Sequence, residues 1–253
     1  MPTWLIWPSD DSSIHAETEE IMFIELLDGV KKYGQGDAQV FAMDEVRLTI
    51  NKGEICVILG PSGSGKSTLM NMLGGIDRMD SGKLLIDGKA ISELSPSGLT
   101  EYRRSDVGFV FQFYNLIQDL TVLENIQVVS DIAAHPLPID EVVESLGLGA
   151  LVRRFPSELS GGQQQRTAIA RAIIKNPKLL LCDELTGALD SKSSKEILQY
   201  IEKVNKTLGM TILIVTHNEA IRNIADRVIL LRDGRIVSNE PNKDKVRAED
   251  LAL

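Results

Sequence analysis

The chain has 253 residues, 43% of them apolar, and a net charge of −9 from 36 acidic and 27 basic side chains. That length supports one large domain or two small ones with a real core. The negative balance argues against nonspecific nucleic-acid coating and against a polybasic membrane anchor.

The opening MPTWLIWPSDD lacks a basic leader and a small-residue cleavage site, so it reads poorly as a secretion signal. Trp4 and Trp7 fit either a membrane or partner contact or a locally packed terminus. No apolar run is long enough to span a bilayer, and cytoplasmic residence is the default expectation. Cys56 and Cys182 each lie inside an apolar run and read as buried free thiols of a reducing compartment.

From residue 21 to residue 60 the stretches IMFIELL, AQVFAM, VRLTI and EICVIL read as strands, with an antiparallel portion near the start. STLMNMLGG then predicts a helix, and GKLLIDGK another strand. Between about 112 and 150 the spacing turns helical, in LTVLENIQVVSDI and IDEVVESLGL, with a break at His135-Pro136-Leu137-Pro138. A helix through AIARAII ends at Asn176-Pro177. LLLCDE and TILIVTH are apolar strands separated by the amphipathic SKEILQYIEKVNKTLG, and ADRVILLRDGRIV is strand-like around a turn. The polar tail from Asn239 is either a small closing helix or disordered. Strands apolar on both faces, alternating with helices, predict an α/β fold with a mostly parallel central sheet. To it are added an N-terminal antiparallel β subdomain and an inserted helical subdomain.

The strongest motif is GPSGSGKST: Gly60, Pro61, Ser62, Gly63, Ser64, Gly65, Lys66, Ser67 and Thr68. It matches the phosphate-loop pattern G-x-x-x-x-G-K-[ST] between a strand and a helix, the context such a loop requires. Glycines let backbone N–H groups curl toward phosphate oxygens, and the helix start adds its unpaired amides. Lys66 is expected to reach the β- and γ-phosphates and Ser67 to meet Mg2+. No guanine-specifying N-K-x-D element accompanies the loop, so ATP is preferred over GTP.

LLLCDE supplies Asp183, placed to hold Mg2+, and Glu184, placed to deprotonate an attacking water. Gln112 follows one strand and suits sensing of water or Mg2+ at the γ-phosphate. His217 follows another and is able to donate to a phosphate oxygen. Tyr33 precedes the first turn and fits either adenine stacking or ordinary packing. In LSGGQQQR, Ser160 and Gln163 form a capping-box pattern, and Gly161 and Gly162 leave the first helical turn open to a polyanion.

In this order the phosphate loop, Gln112, LSGGQQQR, Asp183-Glu184, TGALD (residues 186–190) and His217 resemble the ATP-binding-cassette ATPases, a subset of the P-loop NTPase fold. The resemblance covers residues 21–237, with a helical subdomain at about 112–165, an extension at 1–20 and a tail at 238–253. It implies ATP and Mg2+ as ligands and Tyr33 as the adenine-stacking aromatic. It also implies that Ser160, Gly161, Gly162 and Gln163 bind the γ-phosphate of ATP held by a second copy, in a head-to-tail dimer. Gln112 then lies in the loop coupling the site to a membrane partner, Glu184 is the catalytic carboxylate and His217 the switch histidine.

GFVFQFYNLIQDLTVLENI and FPSELSGGQQQRTAIARAI resemble cassettes serving exporters of lipoproteins, macrolides or antimicrobial peptides. The implied partners are permease subunits of the FtsX/MacB-like type, at the inner face of the membrane, used for export or for transmitting force. Phe113 and Tyr114 fit either the permease-facing surface or internal packing. Leu185 departs from the family pattern, which often has proline there. The alternatives are a cassette that regulates its permease without turnover and a soluble cassette ATPase, the latter disfavoured by the absence of a coiled-coil insertion or second cassette.

Overall fold

A computed structural model describes residues 22–252; Trp4 and Trp7 lie outside them. Residues with the highest apolar content form the middle of the molecule. β3 (Ile55–Leu59), β7 (Leu179–Asp183) and β8 (Thr211–Val215) are buried along nearly their whole length. They lie in a six-stranded sheet with β6 (Val107–Val110), β9 (Arg227–Arg232) and β10 (Arg235–Pro241), in the order β10-β9-β3-β8-β7-β6. All neighbours are parallel except the β9–β10 hairpin, which is antiparallel.

The second sheet is antiparallel and comes largely from the N-terminal part of the chain. β1 (Met22–Tyr33), β2 (Val40–Asn51), β4 (Ser81–Ile86) and β5 (Lys89–Ala90) stand in the order β2-β1-β4-β5. AQVFAM and VRLTI belong to one strand, β2, rather than two.

Strand alternation divides the apolar residues between two cores. Ile55, Val57 and Leu59 of β3 face one core with Leu180 and Cys182 of β7. Cys56 and Ile58 face the other with Leu179 and Leu181. Both thiols are fully buried, on opposite faces of the sheet, and burial pushes both thiol pKa values up.

The first core is closed by α3 (Val122–Ser130), α4 (Ile139–Ser145), α5 (Gly161–Ile173) and α6 (Ser191–Leu208). The second is closed by α1 (Lys66–Leu73), α2 (Pro96–Ser105) and the antiparallel sheet. Each fully buried Leu or Ile contributes about 1.5–3 kcal/mol relative to exposure, so the two cores supply most of the folding drive. α2 was not anticipated from the sequence, although its signals are local: Ser95 accepts from Gly98 N and Pro96 opens the first turn. α6 is capped by Asp190, which accepts from Ser193 N, and ends at Gly209 in the left-handed region. The polar tail is neither wholly helical nor separate: a single turn at Ala248–Asp250 buries Ala248 and Leu251, and Ala248 N donates to Glu202 on α6 at 3.3 Å.

Between β6 and α3 the chain runs without regular structure, and Asn125 organises it. Its Oδ1 accepts from Ile117 N at 2.8 Å, while Nδ2 reaches the carbonyls of Ile117, Leu120 and Thr121 at 2.9–3.0 Å. Asn125 is completely buried, so truncation strands these backbone groups. Asn125→Ala is expected to lower unfolding free energy by about 2 kcal/mol, read from the urea midpoint at unchanged slope. An unshifted midpoint would show that the loop is held by other means.

Candidate active site

β3 delivers the chain at Leu59 into the phosphate loop, and α1 begins at Lys66. Gly65 caps that helix at φ 101° with no side-chain acceptor, so no side chain competes for the first-turn amides. Glycine is required at two loop positions by close approach. A β-carbon at Gly60 would stand 2.2 Å from the Leu231 carbonyl, and one at Gly65 2.4 Å from that of Ala42. Lys66 Nζ arches over the loop and donates to the carbonyls of Gly60 at 2.7 Å and Pro61 at 2.9 Å. Ser62, Gly63 and Ser67 are exposed and Thr68 is half-buried. Ser64 Oγ is buried with no hydrogen-bond partner in the fold. A glycine-rich turn, a helix start free of side-chain caps, a lysine and an unpaired hydroxyl together fit a polyphosphate.

Asp183 ends β7 opposite Val215 of β8. The next residue, Glu184, takes a left-handed conformation at φ 47°, and its N–H donates to the Val215 carbonyl at 2.9 Å. This turn directs the Glu184 carboxylate toward the end of β8. There Oε2 accepts from Thr216 Oγ1 at 3.3 Å, and Oε1 lies 2.9 Å from His217 Nδ1. Glu184 is largely covered, whereas the His217 side chain is 72% exposed. A cleft of about 230 Å3 opens beside this pair, lined among others by Thr186, Gly187 and Asn218. Gln112 lies near Gly187: a β-carbon there would stand 3.6 Å from the Gln112 amide nitrogen. Leu185, where proline was the expected pattern, is buried in the first core.

Burial raises the Asp183 pKa, the neighbouring Glu184 charge raises it further, and Lys66 opposes both. A half-buried carboxylate beside a second carboxylate is a site where a divalent cation relieves repulsion, so the residues fit Mg2+.

Tyr33 ends β1 and is partly exposed; its hydroxyl donates to Asp77 Oδ2 at 2.5 Å, a bond that raises the phenol pKa. Ser160 and Gln163 form the capping box that the sequence implies. Ser160 Oγ accepts from Gln163 N at 3.4 Å, and Gln163 Oε1 accepts from Ser160 N at 2.9 Å. Packing is close behind this cap. A β-carbon at Gly161 would stand 3.0 Å from the Tyr114 hydroxyl, and one at Gly162 3.3 Å from Ser193. Among the described residues, no hydrogen bond joins this turn to residues 60–68 of the same chain.

Three contributors escaped the sequence reading. Thr216 supports Glu184, and Asp77 receives Tyr33. Arg171 of α5 donates to the carbonyls of Asn115 at 2.6 Å and Tyr114 at 3.0 Å, fixing two residues of positive φ. This fixes the loop in which Phe113 is 79% exposed while Tyr114 packs against the first core. The available signal was a lone arginine within the apolar AIARAII; nothing local marks Asp77.

The sequence profile of the family described as ABC transporter matches residues 43–187. The macrolide export ATP-binding/permease protein MacB of Hyphomonas neptunium is 44% identical over 231 residues, covering 89% of this chain and 36% of that protein. The chain therefore spans little more than a third of that relative's length. The lipoprotein-releasing system ATP-binding protein LolD of Geobacter metallireducens is 41% identical, covering 85% of this chain and 98% of that protein. A dimeric structure of MJ0796, described as a bacterial ABC transporter cassette, superposes with a TM-score of 0.78 at 39% identity, covering 86% of this chain and 98% of that one.

Because the folded state raises the Asp183 pKa, folding favours its protonated form. Stability from this group is therefore present at acid pH and is lost as pH rises through the unfolded and then the folded pKa. The penalty therefore grows toward neutral pH. Asp183→Asn is expected to raise Tm in chelator at pH 7.5 by a few degrees, with the gain shrinking toward pH 4. A Tm gain that does not change with pH would rule out this origin.

Proposed function

Since the chain belongs to the ABC transporter family, we propose that it is an ATP-hydrolysing nucleotide-binding subunit working with a membrane permease. The observation that carries this reading is the meeting, at the carboxyl ends of three adjacent strands, of a phosphate loop after β3 and a Glu184–His217 pair after β7 and β8. The cassette proper occupies residues 21–237, with its helical part at about 112–165.

Gly60–Thr68 binds the triphosphate through backbone amides and Lys66, and Tyr33 stacks on the adenine. Ser67 and Asp183, with Gln112 beside them, would hold Mg2+, which when bound would neutralise charge on the nucleotide's phosphates. Glu184 accepts the proton of the attacking water. Thr216 and His217 fix the carboxylate from two sides, so its orientation costs no reorganisation when water arrives. As an imidazolium, His217 would donate Nδ1–H to Glu184 and Nε2–H to the γ-phosphate; a neutral ring with its proton on Nδ1 has none on Nε2 to give.

The Ser160–Gln163 turn serves the nucleotide of a second copy. In the cap Ser160 Oγ and Gln163 Oε1 act as acceptors, so the Ser160 hydroxyl proton, the Gln163 side-chain NH2 and the N–H groups of Gly161 and Gly162, at the start of a 13-residue helix, are left to donate. ATP bridges two copies head to tail, and hydrolysis removes that bridge. A permease of the FtsX/MacB-like type, seated near Phe113 at the inner face of the membrane, receives the motion as force for export or signalling. No helix among the described residues is long and apolar enough to cross a membrane.

Glu184→Gln, which keeps the shape and removes the base, is expected to form a dimer with Mg-ATP but not with Mg-ADP. Light scattering on a sizing column reads the mass, and adding Ser160→Arg should return the protein to monomer. The trans role of the turn fails if the permease-bound complex hydrolyses ATP equally well with and without Ser160→Arg.

A further inference from the structure

The segment after α1 fastens the end of β1 through a set of contacts that phosphate binding does not explain. Ile76 N and Asp77 N both donate to the Asn71 carbonyl, at 2.9 and 3.1 Å, which folds the segment back onto the helix. Asp77 Oδ1 accepts from Lys31 Nζ and from Arg78 N, each at 2.8 Å, and Asp77 Oδ2 accepts from the Tyr33 hydroxyl at 2.5 Å. Lys31 Nζ also donates to the Arg78 carbonyl at 2.8 Å. Two further bonds tie the strand down: Lys32 N to Asp80 Oδ2 at 2.6 Å, and Asp80 N to the Val30 carbonyl at 2.8 Å.

The ring of Tyr33 is thus held at three points. Its hydroxyl meets Asp77 and lies within reach of the Thr68 hydroxyl in the first turn of α1. The Lys31 ammonium stands 5.2 Å from the ring centroid. Lys31 is only 12% exposed, so the strut beside the ring is itself fixed. The ring nevertheless remains partly exposed, with area free for a planar ligand. Without the Asp77 bond, Tyr33 would be the last residue of a strand entering the turn Gly34-Gln35-Gly36, free to change rotamer. Stacking affinity depends on whether the platform is set before the ligand arrives.

We propose that Asp77 is a positioning residue for the nucleotide base: it locks Tyr33 against α1, fixing the stacking face relative to the phosphate loop that opens the same helix. The inference rests on the reading of Tyr33 as the adenine platform. Asp77 touches neither base nor phosphate in this scheme; it acts through the tyrosine. Because the hydroxyl is consumed by Asp77, Tyr33 offers the base its ring face and no directed hydrogen bond.

The test is calorimetric binding of Mg-ATP and of Mg-triphosphate, which has no base, to the full chain and its variants. Tyr33→Ala is expected to weaken ATP about tenfold and leave triphosphate unchanged. Asp77→Ala should weaken ATP about fivefold, again with triphosphate unchanged. Tyr33→Phe removes the same bond from the other side and should match it, whether or not Asp77→Ala folds well. The double variant Tyr33→Ala, Asp77→Ala should bind ATP no worse than Tyr33→Ala alone. In turnover, Asp77→Ala should raise KM and spare kcat. Equal weakening of triphosphate by Asp77→Ala, or a full additional loss in the double variant, would overturn the inference. Weakened ATP binding in Tyr33→Ala, with binding unchanged in Asp77→Ala and Tyr33→Phe, would sink the Asp77 role alone. Unchanged ATP binding by Tyr33→Ala would remove the adenine platform and the inference with it.

Discussion

A parallel sheet that is apolar on both faces has nowhere to keep polar chemistry except at the ends of its strands, and this constraint organises the molecule. β3, β7 and β8 bury nearly every side chain, alternately into one core and the other. The residues that follow their last buried positions are therefore the first able to meet solvent or a ligand. Gly60 follows β3, Glu184 follows β7, and Thr216 and His217 follow β8. Gln112 stands just beyond β6 in the same way. Backbone pairing keeps these ends in step: Asp183 is level with Val215, and Thr216 N donates to the Ile58 carbonyl at 3.1 Å. The site is assembled by register.

Much of this was legible because its signals are local. The phosphate loop, the apolar strands and the Ser160–Gln163 cap each need only a few consecutive residues, and each takes the expected form. What escaped depends on long-range contact. Tyr33 and Asp77 are 44 residues apart, so the partner that fixes the ring leaves no trace near it in sequence. Arg171 reaches a loop 56 residues earlier, and its purpose is equally invisible within a helix pattern. Periodicity also passed over α2, whose start signals were present but whose buried face is small, consisting of Leu99 and Tyr102. The turn after β7 shows a further limit. Nothing in the residue type of Glu184 announces a left-handed backbone, yet that turn aims its carboxylate.

The two halves of the site are held with different firmness. Glu184 is braced by a threonine and a histidine from the neighbouring strand end, as part of the sheet. The glycines of the α5 start instead rest against Tyr114, Leu189 and Ser193, side chains of the helical region and of the approach to α6. Arg171, on the same helix, holds the Phe113 loop. Arg171 thus ties that loop to α5, the helix that the Ser160–Gln163 turn begins, whereas the Glu184 carboxylate is tied to the sheet. Such a division suits a machine in which one part of the nucleotide site moves and the other keeps its geometry.

The burial of Cys56 and Cys182 has a practical side. Thiolate, not thiol, reacts with alkylating probes, and both sulfurs are enclosed by core side chains and strongly disfavoured from ionising. Both thiols of the described residues are therefore expected to be silent toward maleimides in the folded protein. A single cysteine placed at an exposed position such as Phe113 or Ser160 therefore takes up a spin label or fluorophore against a dark background, with neither native residue replaced.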